Sequence, residues 1–152
     1  MRIVICPDKF RGTASASGAA QAIAAGFSAP DLDVVFMPLA DGGEGTLDAL
    51  GGANRITQVT GPLGDPVEAK WRLSSGEAVI EMAQASGLLL AGGSEGNDPL
   101  VASSSGTGEL IAEARASGAR RIVIGVGGSA STDGGFGAIR AMEPLVRFSA
   151  IE

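Results

Sequence analysis

The stretch Arg121–Gly137, RIVIGVGGSASTDGGFG, decides how the rest of the chain is read. Its apolar run Ile122–Val126 predicts a buried strand. That strand empties into Gly127, Gly128, Ser129, Ala130, Ser131, Thr132 and Asp133, followed by Gly134 and Gly135. Glycine permits positive φ and lets backbone come close to a ligand. Successive amides in such a turn can form an anion nest, more strongly where a helix begins. The hydroxyls of Ser129, Ser131 and Thr132 and the carboxylate of Asp133 add donors, acceptors and a potential metal ligand. The same residues equally suit a tight strand-to-helix turn that caps itself, and this stretch alone leaves both readings open. A short helix over Phe136–Met142 follows, ended by Pro144, and Leu145–Glu152 shows no clear closing element.

Working outward, the composition fits a glycine-punctuated α/β chain. The 152 residues include 24 glycines, well above the usual share of about 7%. These glycines follow no collagen period and sit where strands end. Aromatics make up only 4%, so the core must come from Ile, Val, Leu and Ala. The formal net charge of -6 argues against a nucleic-acid backbone as partner. With no histidine, His-based zinc sites and Ser-His or Cys-His triads are excluded. Cys6 is the single cysteine, so no internal disulfide forms; following Ile3–Ile5, it is expected to be buried. No apolar run is long enough to span a membrane and the start does not read as a signal peptide, so a cytoplasmic location is expected.

From the N-terminus, Ile3–Cys6 predicts a first, central strand ended by Pro7. Asp8, Lys9, Phe10, Arg11 and Gly12 then form a charged loop at the strand's C-terminal end, where open α/β sheets bind ligands. Lys9 and Arg11 are the best-placed cations for a phosphate or carboxylate, although ordinary surface charge is the alternative. Ser15–Phe27, alanine-rich with Ile23 and Phe27 four apart, predicts a helix packed closely on a sheet, since alanine allows near approach, closed by Pro30 and Asp31. A second strand, Val34–Met37, ends at Pro38.

Leu39–Leu50, LADGGEGTLDAL, leaves two readings open. Asp41 could cap a helix with Glu44 closing a capping box. Alternatively, Gly42 and Gly43 admit a ligand to the backbone while Asp41 and Glu44 hold Mg²⁺ or orient a hydroxyl. Arg55–Thr60 predicts a strand and Gly61–Pro66 a turn. In Val67–Leu73 the alternation of Val67, Ala69 and Trp71 with Glu68, Lys70 and Arg72 marks a half-buried strand. Ala78–Met82 completes an antiparallel excursion that begins near Gly61. Glu81, at a strand end, is either a ligand contact or a solvated carboxylate. Gly92–Leu100 reads as loop; Ser103–Gly108 leads into a helix over Glu109–Ser117, and Ser105 and Thr107 at that entry offer a phosphate seat or plain caps.

Glycine-rich turns, hydroxyls, acidic groups and Lys9 with Arg11 together suit phosphoryl transfer, which needs charge stabilisation and positioning but no histidine. Neither standard nucleotide motif is present: GVGGSAST lacks the P-loop lysine, and G-x-G-x-x-G lacks its spacing. The residues by themselves reach a phosphate or small-acid site in an α/β protein.

PDKFRGTASA at Pro7–Ala16, ADGGEGT at Ala40–Thr46, TGPLG at Thr60–Gly64 and EMAQASGL at Glu81–Leu88 run in a recognisable order. NDPL at Asn97–Leu100, SSGTGELI at Ser104–Ile111 and IGVGGSASTDGGFG at Ile124–Gly137 continue it. Across nearly the whole chain the sequence resembles the bacterial type-1 glycerate kinases. The resemblance implies ATP- and Mg²⁺-dependent phosphorylation of D-glycerate to 2-phosphoglycerate, in a protein of two α/β domains with the active site in the cleft between them. It implies Asp8, Lys9, Asp41 and Asp133 as catalytic, with Asp41 and Asp133 as the metal-ligand candidates. It implies Arg11, Gly42, Gly43, Glu44, Ser105, Thr107, Gly127, Gly128, Ser129 and Thr132 as substrate-binding. Arg11 stands where the family usually has lysine, and Ala14 where it often has leucine.

The expected architecture is a Rossmann-like open α/β sheet with a small antiparallel excursion, incomplete relative to the two-domain family. An N-terminal segment over 1–60 and a second α/β segment over 61–152 are expected. The family's VACDV and GPQKGA motifs do not occur, so the chain reads as the N-terminal portion. Expected partners are D-glycerate and ATP, with the remaining part of the same protein or a self-association partner, and neither nucleic acid nor membrane. The alternative is a non-catalytic small-anion-binding or interaction module.

Overall fold

In the computed structural model, which describes residues 1–10, 12–27 and 31–143, the chain divides into two compact units, Met1–Asp41 and Gly42–Glu152. Arg11, Pro30, Pro144 and the expected tail 145–152 lie outside the described residues.

In the first unit, β1 (Arg2–Ile5) and β2 (Asp33–Phe36) pair in parallel, with Ile3 opposite Val34 and Ile5 opposite Phe36. Parallel neighbours require a crossover, and α1 (Ala16–Ala25) supplies it. The helix starts at Ser15, whose extended backbone lets Oγ accept from the Gly18 N–H at 3.1 Å. Ala19 and Ala20 are its buried residues, and their small side chains allow close approach. Ile23 and Phe27 remain 45% and 44% exposed because the alanines take the packed face, as the alanine-rich sequence implies. Among the described residues β1 pairs with β2 alone, so it is not the central strand expected. Cys6 is exposed rather than buried, since the strand's paired register ends one residue earlier.

The second unit holds a four-stranded open sheet in the order β3 (Arg55–Thr60), β4 (Pro66–Ser74), β5 (Glu77–Glu81) and β6 (Arg121–Gly125). The first three are antiparallel, which is the expected excursion, and β6 is parallel to β5. Ser75 and Gly76 both have positive φ (52° and 79°), the geometry of a two-residue hairpin turn that matches strand twist. The period-two pattern of β4 buries Ala69 and Trp71 and leaves Glu68 and Lys70 outside. Trp71 lies opposite Ile80, which lies opposite Ile124, while the indole N–H donates to Thr57 Oγ1 at 2.9 Å. Val59, Ala69, Trp71, Ile80 and Leu110 anchor the core. Full burial of a side chain such as Leu110 contributes roughly 1.5–3 kcal/mol.

Short helices α2 (Thr46–Ala49), α3 (Ala83–Ser86) and α4 (Gly93–Gly96) and longer α5 (Ser105–Ala116) and α6 (Phe136–Met142) complete the unit. Helix α5 begins at Ser105, not Glu109 as expected, so the Ser-Gly-Thr segment is its first turn. The glycines explain the difference. A Cβ at Gly106 would strike the Thr60 carbonyl, and one at Gly108 would strike the Ala138 backbone in α6. Their absence of side chain lets α5 lie directly on β3's end and on α6. Among the described residues, no helix is long and apolar enough to cross a membrane.

Candidate functional site

The expected site residues fall into clusters within each unit. In the first unit, β1 and β2 deliver their C-terminal loops side by side: Met37 N–H donates to Ile5 O at 2.9 Å and Leu39 N–H to Pro7 O at 3.0 Å. This brings Lys9 to Asp41, Nζ to Oδ1 at 3.0 Å. The Lys9 side chain is 15% exposed and that of Asp41 62%, so the lysine is held while its partner faces solvent. Asp8 is half-buried and its Oδ1 accepts the Lys9 backbone N–H at 2.6 Å. Arg11 lies outside the described residues.

In the second unit the two most distinctive glycine turns meet backbone to backbone. Gly127 N–H donates to Gly42 O at 2.8 Å. A Cβ at Gly127 would stand 2.6 Å from Gly43 Cα and 2.7 Å from its nitrogen, and one at Gly125 2.7 Å from Gly42 O. Gly128 has φ +74°, and a Cβ there would come within 2.8 Å of Glu44 Oε1, so the Glu44 carboxylate lies against that glycine. Helix α2 begins at Gly45, φ 94°, with no side-chain cap. The N-cap of α2 is thus Gly45 rather than Asp41.

The carboxylate that holds this turn is Glu81, at the end of β5 and only 1% exposed. Its Oε2 accepts the N–H groups of Gly45 and Leu47, each at 3.0 Å, and its Oε1 accepts from Gln84 Nε2 at 3.2 Å. Sequence reasoning placed Glu81 in solvent or on a ligand, because a strand-end carboxylate carries no local sign of a distant turn needing an acceptor. Ser104 belongs to the Ser/Gly/Thr entry that the sequence offers as a phosphate seat or plain cap, and its hydroxyl has partners within the protein. It is buried, its hydroxyl donates to Asp133 Oδ2 at 2.8 Å and accepts from Ala138 N–H at 3.0 Å.

Asp133 is the most heavily hydrogen-bonded acid in the second cluster. Oδ2 accepts from Ser104 N–H (2.9 Å), Ser104 Oγ (2.8 Å) and Gly137 N–H (3.1 Å). Oδ1 accepts from Gly135 N–H (3.0 Å) and Ser131 Oγ (3.1 Å). Burial works against its charged form, but the donors from Ser104, Gly135 and Gly137 outweigh it and bring its pKa down from 3.8 to about 2. The carboxylate therefore occupies amides at the start of α6 that the turn alone offered to an external anion. Around it, Ser129 Oγ accepts Ser131 N–H at 3.1 Å, and Thr132 donates through Oγ1 to Pro99 O at 2.9 Å. Ser105 N–H is capped by Ser103 Oγ at 3.1 Å. Thr107 is buried, its Oγ1 2.9 Å from Ser86 Oγ.

These features define an open α/β protein whose strand ends carry glycine turns locked to one another and to buried acceptors. The chain belongs to the glycerate kinase family: that family's profile matches residues 3–146. The Escherichia coli protein named Glycerate 2-kinase is 52% identical over 93% of this chain, and the Glycerate kinase of Bacillus subtilis 49% identical over 93%. The crystal structure described as a glycerate kinase 2 from Salmonella typhimurium superposes with a TM-score of 0.75 at 46% identity, covering 93% of this chain and 40% of that one. The chain spans about two fifths, 39%, of the length of those Escherichia coli and Bacillus subtilis relatives.

Proposed function

We propose that this chain carries part of the machinery for ATP-dependent phosphorylation of D-glycerate to 2-phosphoglycerate, acting within the full-length protein. The observation that carries the reading is the backbone contact of Gly42 and Gly43 with Gly127, which joins the two motifs most specific to the family. Contact this close needs glycine at 125 and 127, where a Cβ would strike the facing backbone, while Gly42 is favoured by its φ of +92°; the contact fixes the turn that bears Glu44.

In the reaction, the substrate hydroxyl oxygen forms a bond to the γ-phosphorus, the bond from that phosphorus to the bridging β-phosphate oxygen breaks, and ADP leaves with the electron pair. The hydroxyl proton passes to a carboxylate, for which Asp8 is the candidate. Lys9 and Arg11 bind the phosphate or the glycerate carboxylate, with Asp41 holding the Lys9 ammonium in place. Gly42, Gly43, Glu44, Gly127, Gly128, Ser129 and Thr132 form the substrate-binding turns, and Ser105 and Thr107 support them from α5.

Magnesium takes one or two carboxylates and completes its shell with phosphate oxygens and water. The solvent-facing Asp41 carboxylate fits that demand; Asp133, with both oxygens already taken by protein donors, fits a positioning role instead. Among the described residues no group of three acidic or cysteine ligands is assembled. When bound, the ion neutralises charge on the β- and γ-phosphate oxygens.

The test is magnesium-dependent ADP release with and without D-glycerate, run on the intact gene product and on residues 1–152. Glycerate-dependent release by the intact protein supports the reading. ADP release indifferent to D-glycerate overturns it.

A further inference from the structure

We propose that Glu81 is a positioning residue for this reaction: from the end of β5 its buried carboxylate sets the shape of the Gly42–Gly45 turn and thereby the placement of Glu44. The inference rests on the phosphoryl-transfer reading for the reaction it serves, but the holding of the turn stands on its own geometry.

Three observations converge on it. Glu81 is 1% exposed, and a carboxylate is very rarely so buried unless its environment supplies hydrogen bonds. Those bonds come from the backbone of one distant turn: Gly45 and Leu47 donate to the same oxygen, Oε2, at 3.0 Å each. Gln84 Nε2 holds the other oxygen and so fixes the rotation of the group. The Gly127 contact fixes the Gly42–Gly43 end of this turn, and at its α2 end the Gly45 and Leu47 amides rest on Glu81. Gly42 and Gly45 both have φ beyond +90°, Gly45 offers no side-chain cap, and α2 is only four residues long. A turn of this kind has many accessible backbone states in the absence of an acceptor.

Its neighbours tie the same carboxylate to the other glycine turn. Met82 N–H donates to Gly125 O at 2.9 Å, directly beside the point where Gly125 meets the Gly42 carbonyl. Thr46 Oγ1 donates to Gly43 O at 2.7 Å, closing the turn from the inside. Glu81 therefore sits where the ends of β5 and β6 and the start of α2 converge, and Glu44 is carried on the segment it fixes. Glu81 is buried and, among the described residues, its hydrogen bonds go to Gly45, Leu47 and Gln84, so its action on the chemistry runs through the turn.

The experiment uses the intact gene product and compares Glu81→Gln with Glu81→Leu. Glutamine keeps an oxygen that can accept from Gly45 and Leu47, and its amide nitrogen can donate to Gln84 once that side chain turns its carbonyl inward. Leucine removes the acceptor. Amide exchange is followed at Gly45 and Leu47 and, as the internal standard for global unfolding, at Ala69 and Ile80. The expected result is that Glu81→Leu speeds exchange at Gly45 and Leu47 while the standard amides stay protected. With it, kcat per folded molecule falls roughly 100-fold, the scale of a misplacement of about 1 Å. Glu81→Gln is expected to recover kcat to within about tenfold of wild type.

Unchanged protection at Gly45 and Leu47 in Glu81→Leu overturns the proposal. So does kcat per folded molecule equal to wild type in Glu81→Leu, which would make the residue merely structural. If Glu81→Leu does not fold, the glutamine variant decides: a kcat loss as large as 100-fold with intact exchange protection contradicts hydrogen-bonded positioning. Absence of glycerate-dependent ADP release in the wild type removes the functional reading instead, and the exchange data then judge the holding of the turn separately.

Discussion

Asp133→Asn is the perturbation that most sharply separates a structural acid from a reacting one. The two side chains have the same shape, but every group facing Asp133 is a donor: Ser104 twice and Gly137 on one oxygen, Gly135 and Ser131 on the other. Whichever way the asparagine amide turns, its NH₂ meets a backbone N–H that cannot rotate away. That mismatch costs about 1–3 kcal/mol. A second contribution is the charge itself. The pKa falls from 3.8 to about 2, a ceiling of about 2.4 kcal/mol at neutral pH, and the partial exposure of the carboxylate reduces it to about 1 kcal/mol. Because the folded-state pKa is depressed, this second contribution is complete above the unfolded value of 3.8 and is lost as pH falls toward about 2. Denaturant melts of wild type and variant across this range should therefore show a gap of about 2–4 kcal/mol near neutrality that narrows by about 1 kcal/mol in acid. A variant as stable as wild type at neutral pH, or a gap that does not narrow between about pH 4 and pH 2, refutes the reasoning.

Other outcomes follow from the close contacts. Gly127→Ala places a methyl against Gly43 and should force the two glycine turns apart, costing roughly 1–3 kcal/mol of stability and about 100-fold in kcat. Denaturant melts and steady-state kinetics on the intact protein check both. Gly108→Ala drives a methyl into the Ala138 backbone; it should destabilise by about 1–3 kcal/mol in the same melts, and a neutral result would mean α5 and α6 are not that close. Lys9→Met should change stability by less than about 1 kcal/mol, since its partner Asp41 faces solvent, while glycerate-dependent turnover falls about 100-fold or more. Retained turnover would remove Lys9 from the reaction.

Much of this was legible from residue order. The alternation around Trp71 marked β4 and its buried face, and the positions of Arg55–Thr60 and Phe136–Met142 were read at their observed bounds. What failed shared one cause, the reach of distant partners. The Ser-Gly-Thr segment looked like a helix entry because its glycines disfavour helix locally. It is the first turn of α5, and its glycines are there because Thr60 and Ala138 leave no room for a Cβ at 106 and 108. Cys6 looked buried by its place after Ile3–Ile5, yet the paired register stops at Ile5 and leaves it exposed. In the site, the turns and Asp133 stood out by composition. Of the amides that looked open to an anion, those of Gly135 and Gly137 donate to Asp133 itself and that of Gly127 to Gly42. The acceptor Glu81 could not be paired with Gly45 and Leu47 from sequence, since nothing local to residue 81 records a need arising more than thirty positions earlier.

The most direct measurement is ³¹P NMR of the intact gene product with magnesium, ATP and D-glycerate. The account predicts loss of the γ-phosphate signal, matched by growth of ADP and of a phosphate monoester on the 2-hydroxyl. ATP left intact, or consumed to inorganic phosphate without a glycerate ester, would contradict it.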